Sequence, residues 1–188
     1  MKKICLILVV IFISTSLYPL DKAFEKKYNL KPQVDEENGI IWYKHKKGSG
    51  GNTKIYPYIG QRMESGECFL RMVILYVGPQ KFFVKEYVFT VDDEEIRLTP
   101  RKKIETVETK DNFLRSGDRE MSGGIVEVYD VTPNQEEFEM MEKISKAKTV
   151  KLRYNGLRGH KKVAIHKTTK KAIGEVLAAY KELLGLSQ

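Results

Sequence analysis

The residues best suited to chemistry in this chain are basic side chains concentrated near the C-terminus. The stretch from Leu152 to Lys171, LRYNGLRGHKKVAIHKTTKK, is dense in Lys and Arg and holds two of the chain's three His residues. Such a stretch can bind nucleic acid, bind another anion, or form the solvated side of a β-hairpin. No Asp or Glu lies between residues 143 and 174, so a metal site would need carboxylates from elsewhere. The pattern predicts neither a metal nor a cofactor.

The other candidates for catalysis have simpler explanations. Ser145 begins an S-x-x-K string, but the S-D-N and K-T-G motifs that accompany it in penicillin-binding enzymes are missing from the sequence. Cys68 lies in the apolar run ECFLRMVILYVG, which predicts a buried thiol rather than a reactive one. The acidic DDEE at 92–95 is typical of an exposed hairpin turn. The sequence therefore predicts no catalytic residue and favours a non-catalytic protein over an enzyme.

Arg71 is the only charge in the apolar run CFLRMVILYV at 68–77. A charge in such a strand is costly unless it is paired, and Glu86, Glu127 and Asp130 are candidate partners. The alternative is an arginine that binds an anion on the concave face of a sheet. The sequence leaves both alternatives open.

The N-terminus has the layout of a secretory signal peptide. Lys2 and Lys3 precede the apolar run at 4–13, and STS follows, which predicts cleavage after Ser16. An uncleaved anchor is the alternative, although the apolar run is shorter than the roughly 20 residues that span a bilayer. The signal predicts export to the periplasm or the medium and argues against nucleic acid as the partner.

Hydrophobic patterning after the signal predicts nine strands and two helices. The short turn GPQ predicts that the strands at 68–77 and 81–91 pair with each other, and a long polar loop occupies 110–124. The predicted strands lie at 39–46, 54–60, 68–77, 81–91, 96–100, 103–109, 124–131, 149–156 and 160–167.

The two predicted helices are amphipathic and cover about 134–147 and 169–185. Thr132, with Pro133 after it and Gln135 three positions on, is typical of the start of the first helix, and Thr168 or Thr169 of the second. The predicted fold class is α+β: a curved antiparallel β-meander covered by the two helices. We expect a signal peptide at 1–16, an extended or partly helical lead-in at 17–38, and a single domain at 39–188.

The predicted hairpin at 149–167 determines which side chains of the basic stretch face outward. Strand alternation directs Val150, Leu152 and Tyr154 inward and leaves the basic side chains facing outward. The residues predicted to contact an anionic ligand are Arg71, Arg153, Lys162 and His166.

Several short segments resemble a loose group of small exported bacterial proteins of unknown function. In that group a Tyr-Gly strand precedes an L-R-hydrophobic strand that ends in Tyr, then an aromatic strand, an Asp turn and an Arg-bearing strand. The resemblance implies secretion and a compact domain, includes Arg71 and Arg153 in its pattern, and supplies no catalytic residues. The matching segments are YPYIGQ at 56–61, LRMVILYVG at 70–78, FF at 82–83, VDDEEIRL at 91–98, VEVYDV at 126–131 and VKLRYNG at 150–156.

The sequence as a whole predicts an exported domain with a binding or structural role in the cell envelope. Its expected partner is an envelope polymer, another anionic ligand or an exported protein. Two alternatives stay open: an envelope hydrolase with a pocket between the 110–124 loop and the sheet, and an inhibitor-like protein that binds another exported protein.

Overall fold

A computed structural model describes residues 19–48, 54–109, 114–116, 119–121 and 124–186. The predicted signal peptide and much of the 110–124 loop lie outside these residues. The described helices are α1 (Lys22–Lys27), α2 (Gln135–Lys146) and α3 (Lys167–Leu183). The described strands are β1 (Leu30–Asp35), β2 (Ile40–His45), β3 (Ile55–Arg62), β4 (Cys68–Gly78), β5 (Val84–Val91), β6 (Glu94–Leu98), β7 (Glu105–Thr109), β8 (Leu114–Ser116), β9 (Arg119–Met121), β10 (Gly124–Val131), β11 (Val150–Gly156) and β12 (Gly159–Ala164).

The strands pair antiparallel throughout and form two main sheets. The larger sheet has the order β1-β2-β3-β4-β10-β7, and the smaller has the order β12-β11-β5-β6. Strands β8 and β9 form a separate two-stranded hairpin. The predicted α+β class, with antiparallel strands and two amphipathic helices, is confirmed.

The predicted pairing of the strands at 68–77 and 81–91 is wrong. Strand β4 pairs with β3 and β10, whereas β5 pairs with β6 and β11 in the other sheet. The physical reason is the connection between β4 and β5, where the backbone amides of Phe82, Phe83 and Val84 all donate to the Glu127 carboxylate. These amides are unavailable to a hairpin ladder, so the chain crosses from one sheet to the other instead of folding back.

A single hydrophobic core joins the two sheets and the two long helices. The Tyr76 and Tyr154 rings meet between the sheets at 5.5 Å, and the Tyr87 and Tyr129 rings meet at 5.9 Å. The Tyr154 hydroxyl also donates to the Leu75 carbonyl at 2.7 Å, which connects the smaller sheet to the larger one. Aromatic contacts of this kind add to the free energy gained from area burial alone.

Both long helices begin at residues that the sequence analysis did not select. Helix α2 is capped by Asn134, whose side chain accepts from the Glu137 amide while Glu137 accepts from the Asn134 amide. Asn is a stronger N-cap than Thr, and Glu at the third helical position completes a capping box, so the helix starts after Asn134 rather than at Thr132. Helix α3 is capped by His166, two residues before Thr168 and three before Thr169, the two predicted caps.

The segment that precedes the predicted domain contributes to the larger sheet. Helix α1 is capped by Asp21, and β1 pairs with β2 along its full length, from Leu30 opposite His45 to Asp35 opposite Ile40. Among the described helices, none is long and apolar enough to cross a bilayer.

Candidate anion-binding surface

The basic stretch of the sequence forms the hairpin of β11 and β12, and β12 is an edge strand of the smaller sheet. Leu152 and Tyr154 are buried in the core, so the residues between and beside them face outward. Arg153 lies directly opposite Lys162, and Asn155 lies opposite His160. The outward cations of this hairpin, defined here as the basic surface, are Lys151, Arg153, Arg158, His160 and Lys162.

Four of these side chains are exposed and lack a carboxylate partner within the described part of the chain. They are Lys151, Arg158, His160 and Lys162, of which Arg158 donates to the Gln80 side chain instead. No acid occurs in the surrounding sequence from 143 to 174, so nothing on the hairpin itself offsets their charge. Cations that are not neutralised locally produce a positive potential that attracts anions over about a Debye length.

Arg153 is more constrained than its neighbours. Its Nη2 lies 3.6 Å from Glu95 Oε2, and only 29% of its side chain is exposed. Its Nε is buried and has no hydrogen-bond partner among the described residues. Arg153 can therefore reach an anion only through guanidinium N–H groups other than the buried Nε–H.

The outer face of the smaller sheet divides into two halves of different charge character. Toward β6, Arg97 lies 3.4 Å from Glu86 and 2.5 Å from Glu95, and the Asn155 amide donates to Glu86 at 2.6 Å. The carboxylates of this face, Glu86 and Glu95, therefore have their closest partners on the β6 side. Toward β12 the cations have no such partners among the residues that the structure describes, which concentrates the positive charge at the edge of the sheet.

The structure places His166 at the start of α3 rather than on the strands of the hairpin. It lies beyond the end of β12, and its Nδ1 accepts from the Thr168 amide at 3.3 Å as the N-cap of α3. Lys170, in the first turn of the helix, donates to the carbonyls of Ala147 and Lys148 and so connects the helix to the end of α2. His166 therefore helps to begin a helix and is not part of the basic surface.

Arg71 lies on the larger sheet, away from Arg153 and Lys162. Its Nε donates to Asp130 Oδ1 at 2.9 Å, and its Nη2 donates to the Asp130 carbonyl at 3.2 Å. The Tyr58 hydroxyl donates to the other oxygen of the same carboxylate at 2.7 Å. Of the two alternatives left open by the sequence, this geometry corresponds to the ion pair, with Asp130 as the partner.

The structure thus brings together two of the four predicted ligand-binding residues, Arg153 and Lys162. The chain matches no protein-family model, no curated protein and no solved structure in comparisons with known proteins. The case for function therefore depends on the chemistry of these surfaces.

Cys68 does not have the environment of a reactive cysteine. It is partly buried against the core, and its Sγ lies 3.6 Å from the Gly66 carbonyl. Burial, and to a smaller extent the charge of Glu67, raises the pKa of the Cys68 thiol. A raised pKa leaves little thiolate near neutral pH, and the thiolate is the nucleophilic form.

A cleft of about 440 Å³ lies between the β5–β6 turn and the end of α2. Its charged residues include Glu94 and Lys143, which pair with each other at 2.7 Å. The residues that line it in the described part of the chain include no Ser, Cys or His. The pocket that the hydrolase alternative requires, beside the 110–124 loop, falls largely outside the described residues.

Two exposed apolar residues that the sequence analysis missed lie next to the basic surface. Phe83 is 46% exposed and Leu157 is 64% exposed, and the Leu157 amide donates to the Phe83 carbonyl at 3.3 Å. The sequence analysis placed Phe83 in the strand at 81–91 and so gave no indication that its side chain is exposed. Leu157 did carry a signal, because an apolar residue inside a tight NGLRG turn is unusual.

Proposed function

We propose that this chain is an exported, non-catalytic protein of the bacterial envelope that binds an anionic polymer or surface through its basic surface. The observation that carries the proposal is the uneven charge on the smaller sheet. Lys151, His160 and Lys162 stay exposed on β11 and β12 without carboxylate partners among the described residues, while the acids of the same face pair near β6.

The rigid hairpin suits a repeating ligand better than a single small anion. Outward residues two apart on a strand are spaced by roughly 7 Å, so Lys151 and Arg153 present charges at a regular interval. Each contact with an exposed cation is weak and screened by salt, so useful affinity requires several contacts at once. A polymer with repeated phosphate or carboxylate groups meets that requirement.

Edge-strand protection is the other physical role that these lysines can serve. Lysines on an edge strand keep it from pairing with the edge of another sheet. That role predicts self-association when the charge is removed, but no loss of a ligand. The two roles can therefore be separated by measuring ligand retention and oligomeric state on the same variants.

The test compares two double charge reversals that change the net charge equally. The variant Lys151→Glu with Lys162→Glu alters the basic surface, and Lys102→Glu with Lys103→Glu alters two exposed lysines outside the hairpin. Both are passed over immobilised polyphosphate, with uncharged dextran as the blank. We expect the first variant to elute at clearly lower salt than the unaltered protein and the second to elute close to it.

Equal retention of the two variants would overturn the proposal, because net charge rather than the hairpin would then control binding. Retention of the unaltered protein that does not fall as salt increases would also contradict it. Lys162→Ala, which removes the edge charge instead of reversing it, is tested for retention and by light scattering; self-association of that variant would support edge protection as the role of Lys162.

A further inference from the structure

The β4–β5 connection and the β11–β12 turn meet at one end of the domain. The Leu157 amide donates to the Phe83 carbonyl at 3.3 Å. The approach is close enough that a Cβ on Gly156 would lie 2.6 Å from the Phe82 carbonyl oxygen and 2.9 Å from that of Phe83. Only glycine fits there, so the two segments form a single surface rather than two independent loops.

The two adjacent phenylalanines of this connection have opposite environments. Phe82 is 7% exposed and stacks on the Tyr76 ring at 4.7 Å, whereas Phe83 is 46% exposed. Phe83 also has a positive φ of 57°, which is costly for a bulky residue and easy for glycine or asparagine. The turn itself therefore does not require a phenylalanine at this position, which points to a role for the exposed ring.

Cations surround this apolar tip, defined here as the side chains of Phe83 and Leu157. Lys81 and Lys85 flank Phe83 in sequence, and both are exposed. Arg158 donates to the Gln80 side chain at 2.6 Å, so the basic end of the hairpin adjoins the same segment. Neither 79–85 nor 156–162 contains an Asp or Glu.

Lys161 adds to the charge at this end of the domain. Its Nζ donates to the Val77 carbonyl at 3.2 Å and lies 5.0 Å from the centre of the Tyr76 ring. Glu127 is the nearest acid to the connection, but it is 2% exposed and its oxygens are occupied by the three backbone amides. The exposed cations around the tip outnumber the one partly exposed acid beside it, Glu86, whose carboxylate contacts Arg97 and Asn155.

We propose that the apolar tip inserts into the interfacial region of a bilayer that contains anionic lipid, while the surrounding cations contact its headgroups. This inference rests on the proposed function and identifies the anionic partner as a lipid bilayer. An apolar side chain ringed by cations is complementary to a membrane interface, where acyl chains lie just below negative headgroups. A soluble polymer would use the cations and leave Phe83 and Leu157 in water.

The size of the tip fits a bilayer better than a protein partner. Stable protein interfaces bury about 800 Å² on each side, with an apolar centre made of many residues. Two side chains do not supply such a centre. They do supply a shallow anchor, and each basic residue near an anionic leaflet strengthens binding by about fivefold, so several cations together make the contact effective.

The test measures co-sedimentation with vesicles of phosphatidylcholine, with and without phosphatidylglycerol. The tip variant carries Phe83→Ser and Leu157→Ser. The control is Met63→Ser, which removes an apolar side chain that is 42% exposed on the β3–β4 turn. We expect binding only to the anionic vesicles, about tenfold weaker partitioning for the tip variant, and nearly unchanged partitioning for the control.

A second measurement reports insertion directly. Tryptophan at the tip, introduced as Phe83→Trp, should shift its emission to shorter wavelength and be quenched by brominated lipid when anionic vesicles are added. The unaltered protein supplies the background signal of Trp42. Unchanged emission from a variant that does sediment with the vesicles would overturn insertion.

The outcomes separate this inference from the proposed function. If the tip variant sediments like the unaltered protein while Lys151→Glu with Lys162→Glu does not, the tip has no role and the basic surface alone binds. If the unaltered protein binds polyphosphate but no vesicle, the membrane inference is wrong and the proposed function stands. If it binds neither, both are wrong.

Discussion

The carboxylate of Glu127 lies 2.6 Å from the backbone nitrogen of Phe82, and it accepts a hydrogen bond from that amide. The amides of Phe83 and Val84 donate to the same carboxylate at 2.7 Å and 2.9 Å. Glu127 belongs to β10 in the larger sheet, and Val84 begins β5 in the smaller one. A single buried side chain therefore fixes the point at which the chain passes between the sheets.

Replacing Glu127 with Gln should destabilise the fold strongly. The amide keeps one acceptor oxygen and turns an NH₂ group toward backbone N–H groups, so at least one buried donor is left unpaired. Hydrogen bonds to a charged group contribute about 1.5–3 kcal/mol each, and we expect the free energy of unfolding to fall by about 2–4 kcal/mol. Urea denaturation measures the change.

Glu105→Gln serves as the matched control, because Glu105 is exposed on β7. We expect that change to alter the free energy of unfolding by less than about 0.5 kcal/mol. Equal unfolding midpoints for Glu127→Gln and the unaltered protein would show that the three hydrogen bonds do not hold the connection.

The same contact explains why the strands could be predicted while one pairing could not. Hydrophobic patterning is local, and it located β4 and β5 to within a few residues. Their partners depend on Glu127, which is 45 residues from Phe82 in sequence. No local pattern indicates that a carboxylate will occupy three amides and prevent a hairpin that the short turn otherwise favours.

The sequence could predict the part of the candidate site that lies within one hairpin. A hairpin places residues opposite each other at a known register, so Arg153 and Lys162 were expected together and are together. Arg71 belongs to β4 in the other sheet. Its separation from Arg153 follows from the β4–β5 connection, which carries the chain from one sheet to the other. The capping role of His166 was missed because His is not among the preferred N-cap residues.

Two buried tyrosine hydroxyls provide a matched pair for a stability prediction. The Tyr154 hydroxyl donates to the Leu75 carbonyl, whereas the Tyr87 hydroxyl is buried with no hydrogen-bond partner in the described part of the chain. We expect Tyr154→Phe to lower the free energy of unfolding by about 1 kcal/mol and Tyr87→Phe to raise it by a similar amount. The same sign for both variants in urea denaturation would contradict this explanation.

The fold should lose stability in alkaline solution because of its buried tyrosines. Burial raises the pKa of Tyr129 to about 12, and burial also raises the pKa of Tyr87 and of Tyr154. Tyrosines of the unfolded chain ionise near their ordinary pKa of about 10. As pH rises from about 10 toward 12, the unfolded state loses protons that the folded state keeps, so the free energy of unfolding decreases.

Tyr129→Phe should make that decrease less steep. The stabilising contribution of Tyr129 is complete below about pH 10 and is lost above it, at up to about 1.4 kcal/mol per pH unit. The variant also loses the hydrogen bond from Tyr129 to Glu137, so the slope with pH is the informative quantity rather than the absolute stability. An identical slope in the variant and the unaltered protein would contradict the assignment.

Arg71→Gln distinguishes an arginine of the fold from an arginine of the binding site. The Arg71 guanidinium pairs with Asp130, and 24% of the Arg71 side chain is exposed. We therefore expect the free energy of unfolding to fall by about 1 kcal/mol. Retention on polyphosphate should not change, in contrast to the hairpin double variant. A marked loss of retention in Arg71→Gln would return Arg71 to the list of ligand-binding residues.

Export is the premise of the proposed function, and intact-mass measurement of the endogenous protein tests it. Cleavage after Ser16 should leave a chain that begins at Leu17, in the periplasmic or extracellular fraction, with a formal net charge lowered from +8 to +6 by the removal of Lys2 and Lys3. A full-length species in the membrane fraction would identify 4–13 as an anchor, which would hold the basic surface near a bilayer. A full-length cytoplasmic species would contradict export, and the basic surface would then be tested against nucleic acid, where phosphate contacts predict a steep dependence of affinity on salt.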